Sequence, residues 1–108
     1  MLQIAKECKI YVLNTPISAR YGIPAMFDML LTDQLGLMWN GVDPILIVAF
    51  NKKRTLCKVF SVDAYGCTCA TRKLAAGKFK IEFNSELIPS FINKKSLEQL
   101  FNYGSLKV

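Results

Sequence analysis

The residues in this chain best placed to do chemistry are its cations. Lys52, Lys53 and Arg54 are adjacent, Arg72 and Lys73 are adjacent, and Lys78 follows closely. Ammonium and guanidinium groups grouped in this way bind phosphate oxygens, and each contact gains affinity by releasing a counterion. Lys58 and Arg20 are isolated cations that could add to such a surface. Other chemistries find less material. The chain has no histidine, so no Ser-His or Cys-His pair exists to activate a nucleophile. Its serines lie in no nucleophile-elbow pattern, and Gly22, Gly36 and Gly41 are isolated, so no glycine-rich phosphate loop is present.

Metal sites are also poorly supplied. Cys67 and Cys69 are separated by one residue, whereas zinc ligands are normally separated by two to four and are often completed by histidine. With Cys8 and Cys57 they read as small hydrophobes, reduced in a chain with no export signal. The acids are scattered. Asp63 starts a turn, where aspartate bonds its own backbone, and a nuclease would need Asp63, Glu82 and Glu86 to converge. No cofactor is expected.

The elements that must position the cations can be read from hydrophobic pattern. Residues 8–14 read as a strand ended by Thr15-Pro16. Gly22 and Pro24 announce a helix with Phe27, Leu30 and Leu31 as its core stripe and Gly36 as its stop. Asn40-Gly41 marks a turn, and Pro44 opens the apolar strand Ile45–Phe50. The basic turn Asn51–Arg54 joins it to a second strand, Thr55–Val62, and the turn Asp63–Gly66 joins that to Cys67–Lys73. Beyond Ala75-Ala76-Gly77, Phe79–Phe83 alternates as a fifth strand. Ser96 and Gln99 form a capping box for a short C-terminal helix closed by Gly104.

This order predicts an α+β fold: an antiparallel β-meander of about five strands, one helix after strand one, a short C-terminal helix, and both helices on one face. In a meander alternate turns share an end. The 51–54 and 74–77 turns would therefore lie together, away from 63–66, and gather Lys52, Lys53, Arg54, Arg72, Lys73 and Lys78 into one rim. Phe60 is expected in the core and Tyr65 at the opposite turn, so no base-stacking platform is expected on that rim.

Length and charge agree with one small basic domain. The 108 residues suit a single domain spanning 1–108, and a hydrophobic content of 52% supplies a packed core. No apolar stretch approaches the ~20 residues that cross a bilayer, and Lys6, Glu7 and Lys9 interrupt any secretory h-region, so a cytoplasmic location is expected. The net charge of +6 is one-sided: residues 1–43 carry −1 and residues 44–108 carry +7. Such a field favours phosphate backbones.

Along residues 9–106 the chain resembles the small accessory protein of the insertion-sequence-66 type of bacterial transposable elements, called TnpB there. That family opens with a strand and a segment of the type Asp-Met-Arg-Lys-Gly-Phe-Asp-Gly-Leu, matched here by 18–26 with Arg20 and Gly22. It continues with an apolar strand, an Asn-Arg-Arg-Arg-like turn and a strand of the type Leu-Lys-Val-Leu-Tyr-Trp-Asp. Here Phe50, Asn51, Lys52, Lys53 and Arg54 precede Cys57, Lys58, Val59, Phe60, Ser61, Val62 and Asp63. Its Gly-x-Gly and Lys-Arg-Leu-Glu-x-Gly-x-Phe correspond to Ala64, Tyr65 and Gly66, then Arg72, Lys73, Leu74, Ala75, Ala76, Gly77, Lys78 and Phe79. Its closing Leu-rich helix is similar to 96–106. The chain departs from the pattern at Ser18, Pro24 and Ala75, where the family has acids, and in its small-residue strand Cys67–Thr71. What it keeps is cations and turn glycines.

The resemblance implies an accessory of DNA transposition working beside a separate transposase. With the cations, it leads to an expected non-catalytic protein that binds DNA, or the transposase–DNA complex, through Lys52, Lys53, Arg54, Arg72, Lys73 and Lys78, with Lys58 and Arg20 in support. The alternative is a protein-interaction module without nucleic-acid affinity, using Trp39, Tyr103 or a sheet edge.

Overall fold

Six consecutive apolar residues, Ile45–Phe50, organise the fold. The computed structural model of the chain describes residues 9–13, 16–18, 20–31, 39–82, 90–92 and 94–107. In it Ile45–Phe50 is a strand buried at every position. A strand buried on both faces needs a covering layer on each side. Along it, side chains alternate between two clusters: Leu46, Val48 and Phe50 face one way, and Ile45, Ile47 and Ala49 the other.

The elements in chain order are β1 (Lys9–Val12), α1 (Ile23–Leu31), β2 (Ile45–Phe50), β3 (Leu56–Asp63), β4 (Gly66–Lys73), β5 (Lys80–Glu82), β6 (Ser90–Ile92), α2 (Lys94–Tyr103) and β7 (Ser105–Lys107). The main sheet is open and mixed, with strands in the order β4-β3-β2-β1 and the short β6 added beyond β1. β1 runs parallel to β2, from Lys9 opposite Ile45 to Val12 opposite Val48. Parallel neighbours need a crossover, and α1 provides it. β2, β3 and β4 form antiparallel hairpins, with Phe50 opposite Cys57 and Leu56 opposite Lys73.

The chain is thus α+β, but the five-strand meander is corrected. Among the described residues only β2, β3 and β4 form one. The expected fifth strand contributes Lys80–Glu82, which pairs in parallel with β7 in a separate two-stranded sheet. The helices also lie on opposite faces. Met26 and Leu30 of α1 join Ile45, Ile47, Phe60 and Val62, with Phe27 half-buried beside them. Leu97 and Leu100 of α2 join Leu46, Val48, Phe50, Cys57, Val59 and Phe79. The physical reason is that both sides of β2 are apolar, so a single helical layer would leave one side wet.

Several boundaries move. α2 begins at Lys94, so Ser96 lies inside the helix and does not cap it. Asp28 is exposed as expected. The expected helical residues Asp33, Leu35 and Gly36, together with Cys8 and Phe83, lie outside the described residues. Among the described residues no helix is long and apolar enough to cross a membrane.

Two-sided burial gives a direct test. Leu46 is 1% exposed and Ile47 is fully buried, on opposite faces. Leu46→Ala and Ile47→Ala should each lower unfolding free energy by about 2–5 kcal/mol, read by denaturant titration. If either were within about 0.5 kcal/mol of wild type, the value for surface positions, the two-layer arrangement would be wrong.

Candidate nucleic-acid interface

The basic turn is built on Asn51. Arg54 N donates to Asn51 O at 3.0 Å, closing the turn, and Asn51 N donates to Leu56 O at 3.2 Å across the hairpin. The Asn51 side chain does the rest. Its Oδ1 accepts from Thr55 N at 2.9 Å and Leu56 N at 3.1 Å, and its Nδ2 donates to Thr55 Oγ1 at 3.0 Å. This leaves Lys52 and Lys53 exposed at the tip.

Arg54 is held differently. Its φ of 57° lies in the left-handed region, which costs a non-glycine residue roughly 1–2 kcal/mol. Its guanidinium lies over the Phe50 ring at 5.8 Å, and Phe50 in turn packs against Phe79 with ring centroids 5.6 Å apart. A cation over an aromatic face offsets part of the backbone cost. Arg54 thus roots the tip in the core.

The same turn captures the second basic segment. Leu74 N donates to Thr55 O at 3.0 Å, and Phe79 N donates to Arg54 O at 2.6 Å. Lys73 and Lys78 each precede one of these residues, and both are exposed. Arg72, opposite Cys57 in the register, extends Nη2 to Asn102 O at the end of α2, at 3.4 Å. Carbonyls at a helix C-terminus favour cations. Lys52, Lys53, Arg54, Arg72, Lys73 and Lys78 therefore share one end of the sheet. Lys80 is a further exposed cation beside them, with its N–H on Gly104 O at 2.7 Å. Strict alternation read Lys80 as an outward strand residue, which concealed its place next to the rim.

Two expected contributors sit apart. Lys58 is 9% exposed and points to the α1 face, donating from Nζ to Tyr21 O at 2.6 Å. It anchors the loop before α1 and does not belong to the rim. Tyr21, whose ring meets Phe60 edge-on at 6.0 Å, has its single hydroxyl proton within reach of both Ala25 O and the Met29 sulfur. Burial, with the nearby Asp28 charge, raises the Tyr21 hydroxyl above its ordinary pKa. Arg20 is exposed on that same loop, which Ile17 N ties to Phe50 O at 2.8 Å. Arg20 therefore lies near the basic end but on the α1 side.

The opposite end of the sheet carries the acids Asp63 and Asp43, together with the exposed cation Lys9, opposite Ile45. Asp63 faces Gly66 in the register and accepts from Tyr65 N and Gly66 N at its Oδ1. Asp43 precedes β2 and binds Asn40 Nδ2 at 2.7 Å. The eight residues of β3 separate these ends by roughly 25 Å. Asp63 is thus a turn cap, while Glu86 lies outside the described residues. Among those residues, no three histidine, cysteine or carboxylate side chains are arranged to hold a metal ion.

Cys57 is buried in the core, and Cys67 and Cys69 are half-buried against the α1-side cluster. Burial pushes the Cys57 thiol up to about 12 and the Cys67 thiol to about 11, with the neighbouring Cys69 adding to both. Such thiols stay protonated near neutrality and are poor nucleophiles.

Trp39 is half-buried, and its Nε1 donates to Asp43 O at 2.8 Å, so it belongs to the 39–43 loop. Compared with protein-family models, curated proteins and solved structures, the chain shows no match.

Two outcomes are expected from this geometry. Asn51→Ala strands two part-buried N–H groups and should cost about 1–3 kcal/mol, measured by chemical denaturation. A neutral result would show that the turn does not depend on that side chain. The second concerns alkaline pH. The folded state holds the Cys57 proton up to about 12, above the ordinary 9.0. Native protein then binds more protons than unfolded protein between those values, and stability falls as pH rises through that window. The stability difference between wild type and Cys57→Ala should be flat below about pH 9 and shrink above it; a difference constant to pH 11 would contradict the burial.

Proposed function

We propose that this protein is a non-catalytic accessory of DNA transposition that binds DNA, or a transposase–DNA complex, through its basic rim. The observation that carries the proposal is the joining of the 51–55 turn to the 72–74 and 78–80 segments by backbone hydrogen bonds, Leu74 N to Thr55 O and Phe79 N to Arg54 O. Cations on a rigid frame bind a phosphate backbone with less ordering cost than the same cations on mobile chain. The charge is also uneven between the two ends, six cations at the rim against Asp43, Asp63 and Lys9 at the far end, and such asymmetry presents the basic end to a polyanion.

The biological context comes from the resemblance to the insertion-sequence-66 accessory family. Of the residues that carry the likeness, Asn51–Arg54, Arg72, Lys73, Gly77 and Phe79 belong to the rim, while Arg20, Gly22, Lys58, Asp63 and Gly66 lie elsewhere. The proposed location is the cytoplasm and the proposed partner, besides DNA, is the transposase of the same element. A protein-interaction module is the second reading. It is favoured by β4, an edge strand of eight residues whose stretch Gly66–Thr71 contains neither charge nor proline.

Binding of duplex and single-stranded DNA across a salt series tests the first reading. Lys52→Ala, Lys53→Ala and Lys73→Ala combined spare the Arg54 stack, and should reduce the slope of log affinity against log salt by about 2–3. Lys58→Met should leave that slope unchanged. Absence of binding at low salt, or an unaltered slope in the triple variant, would refute the rim and leave the interaction module.

A further inference from the structure

Tyr103 is the last residue of α2 and is 81% exposed. α2 turns Leu97 and Leu100 into the core, with Phe101 packed against them. Tyr103 falls on the outer face, where a large aromatic ring contributes little to folding. Its neighbours place it at the rim. Asn102 O accepts from Arg72, and Gly104 stands against Leu74 and Phe79. A side chain at Gly104 would come within 3.2 Å of Leu74 Cδ1, and its φ of 79° suits glycine. Glycine thus lets the end of α2 close onto the rim. From there a shallow groove of about 390 Å³, lined by Lys95, Glu98, Gln99, Asn102 and Tyr103, runs along the outer face of α2. The fully exposed Tyr65 sits at the acidic end beside Asp63, so it has no such cationic setting.

An exposed aromatic face beside phosphate-binding cations recognises an unstacked base. A duplex cannot offer one, because its bases are stacked on each other. We infer that the rim takes single-stranded nucleic acid in preference to duplex, with one base stacked on Tyr103 and the flanking phosphates held by Arg72, Lys73 and Lys78. Among the described lining residues Lys95 and Glu98 offset each other's charge, whereas the rim is cationic, so the backbone follows the rim while the base enters the groove. This rests on the polyanion-binding rim proposed above and names its ligand.

The test is fluorescence anisotropy with labelled oligothymidylate, oligouridylate and a DNA duplex of equal length, on wild type, Tyr103→Ala and Tyr103→Phe. Wild type should bind at least one single strand more tightly than duplex, and the comparison of the two strands shows whether the sugar matters. Tyr103→Ala should weaken single-strand binding roughly 5- to 150-fold, with the salt slope and duplex affinity unchanged, and Tyr103→Phe should restore it. Single-strand affinity unchanged in Tyr103→Ala, or equal loss on strand and duplex, would overturn the inference and leave the rim standing. No binding to any of the three at low salt would overturn both.

Discussion

The structure depends on covering both sides of one strand. β2 has no polar side chain to offer to water on either face, and it lies between β1 and β3 in the sheet. α1 is the apolar cover for one face. α2, with Phe79 and Leu74, covers the other. The second cover comes from the last third of the chain, so 74–79 must return to the sheet after β4 ends. Its attachment point is the 51–55 turn, through the carbonyls of Arg54 and Thr55. The arrangement that completes the core is therefore also the one that assembles the cations.

Local elements were readable because their signals are local. The Asn51–Arg54 turn, the Asp63–Gly66 turn and the alternation of the strands between them predicted the β2–β3–β4 hairpins at nearly their observed bounds. The shared end of the 51–54 and 74–77 turns also followed, although through a fifth strand that does not join the sheet. Topology was less legible. The unbroken apolar run at 45–50 was the available sign of two-sided burial and a parallel neighbour, but alternation elsewhere favoured a one-sided meander. β5, β6 and β7 have three residues each, too short to show a period. Lys58 reads in sequence as an isolated cation that could support the rim, yet it is buried and its ammonium ends on a backbone carbonyl. Tyr103 could be marked as exposed from its helical position, while its nearness to Arg72 depends on a contact thirty residues apart in sequence.

The cations differ in how firmly the fold holds them. Arg54 is stacked on Phe50, and Arg72 reaches the end of α2. Lys52, Lys53, Lys73 and Lys78 stand exposed around these two. Arginine's planar, weakly hydrated head suits the stacked and carbonyl-facing positions, whereas lysine's compact charge on a flexible stem suits the tip. Two oriented guanidinium groups and four adaptable ammonium groups give the rim both fixed and tolerant contacts.

The position of the turn matters before the fold exists. Ile45–Phe50 combines high strand propensity with no charge and no internal proline, the composition of segments that stack in register into cross-β assemblies. An emerging chain exposes it before β3 is made and well before α2 can cover it. Pro44 stands immediately before the segment, and Lys52, Lys53 and Arg54 follow one residue after it. In an in-register stack these cations would lie above their own copies at about 4.8 Å spacing, and the repulsion would grow with every chain added. Charge in that place opposes stacking of the adjoining apolar strand, as gatekeeper residues do. That duty is served by like charge of either sign, and it acts whether or not a nucleic acid ever meets the turn.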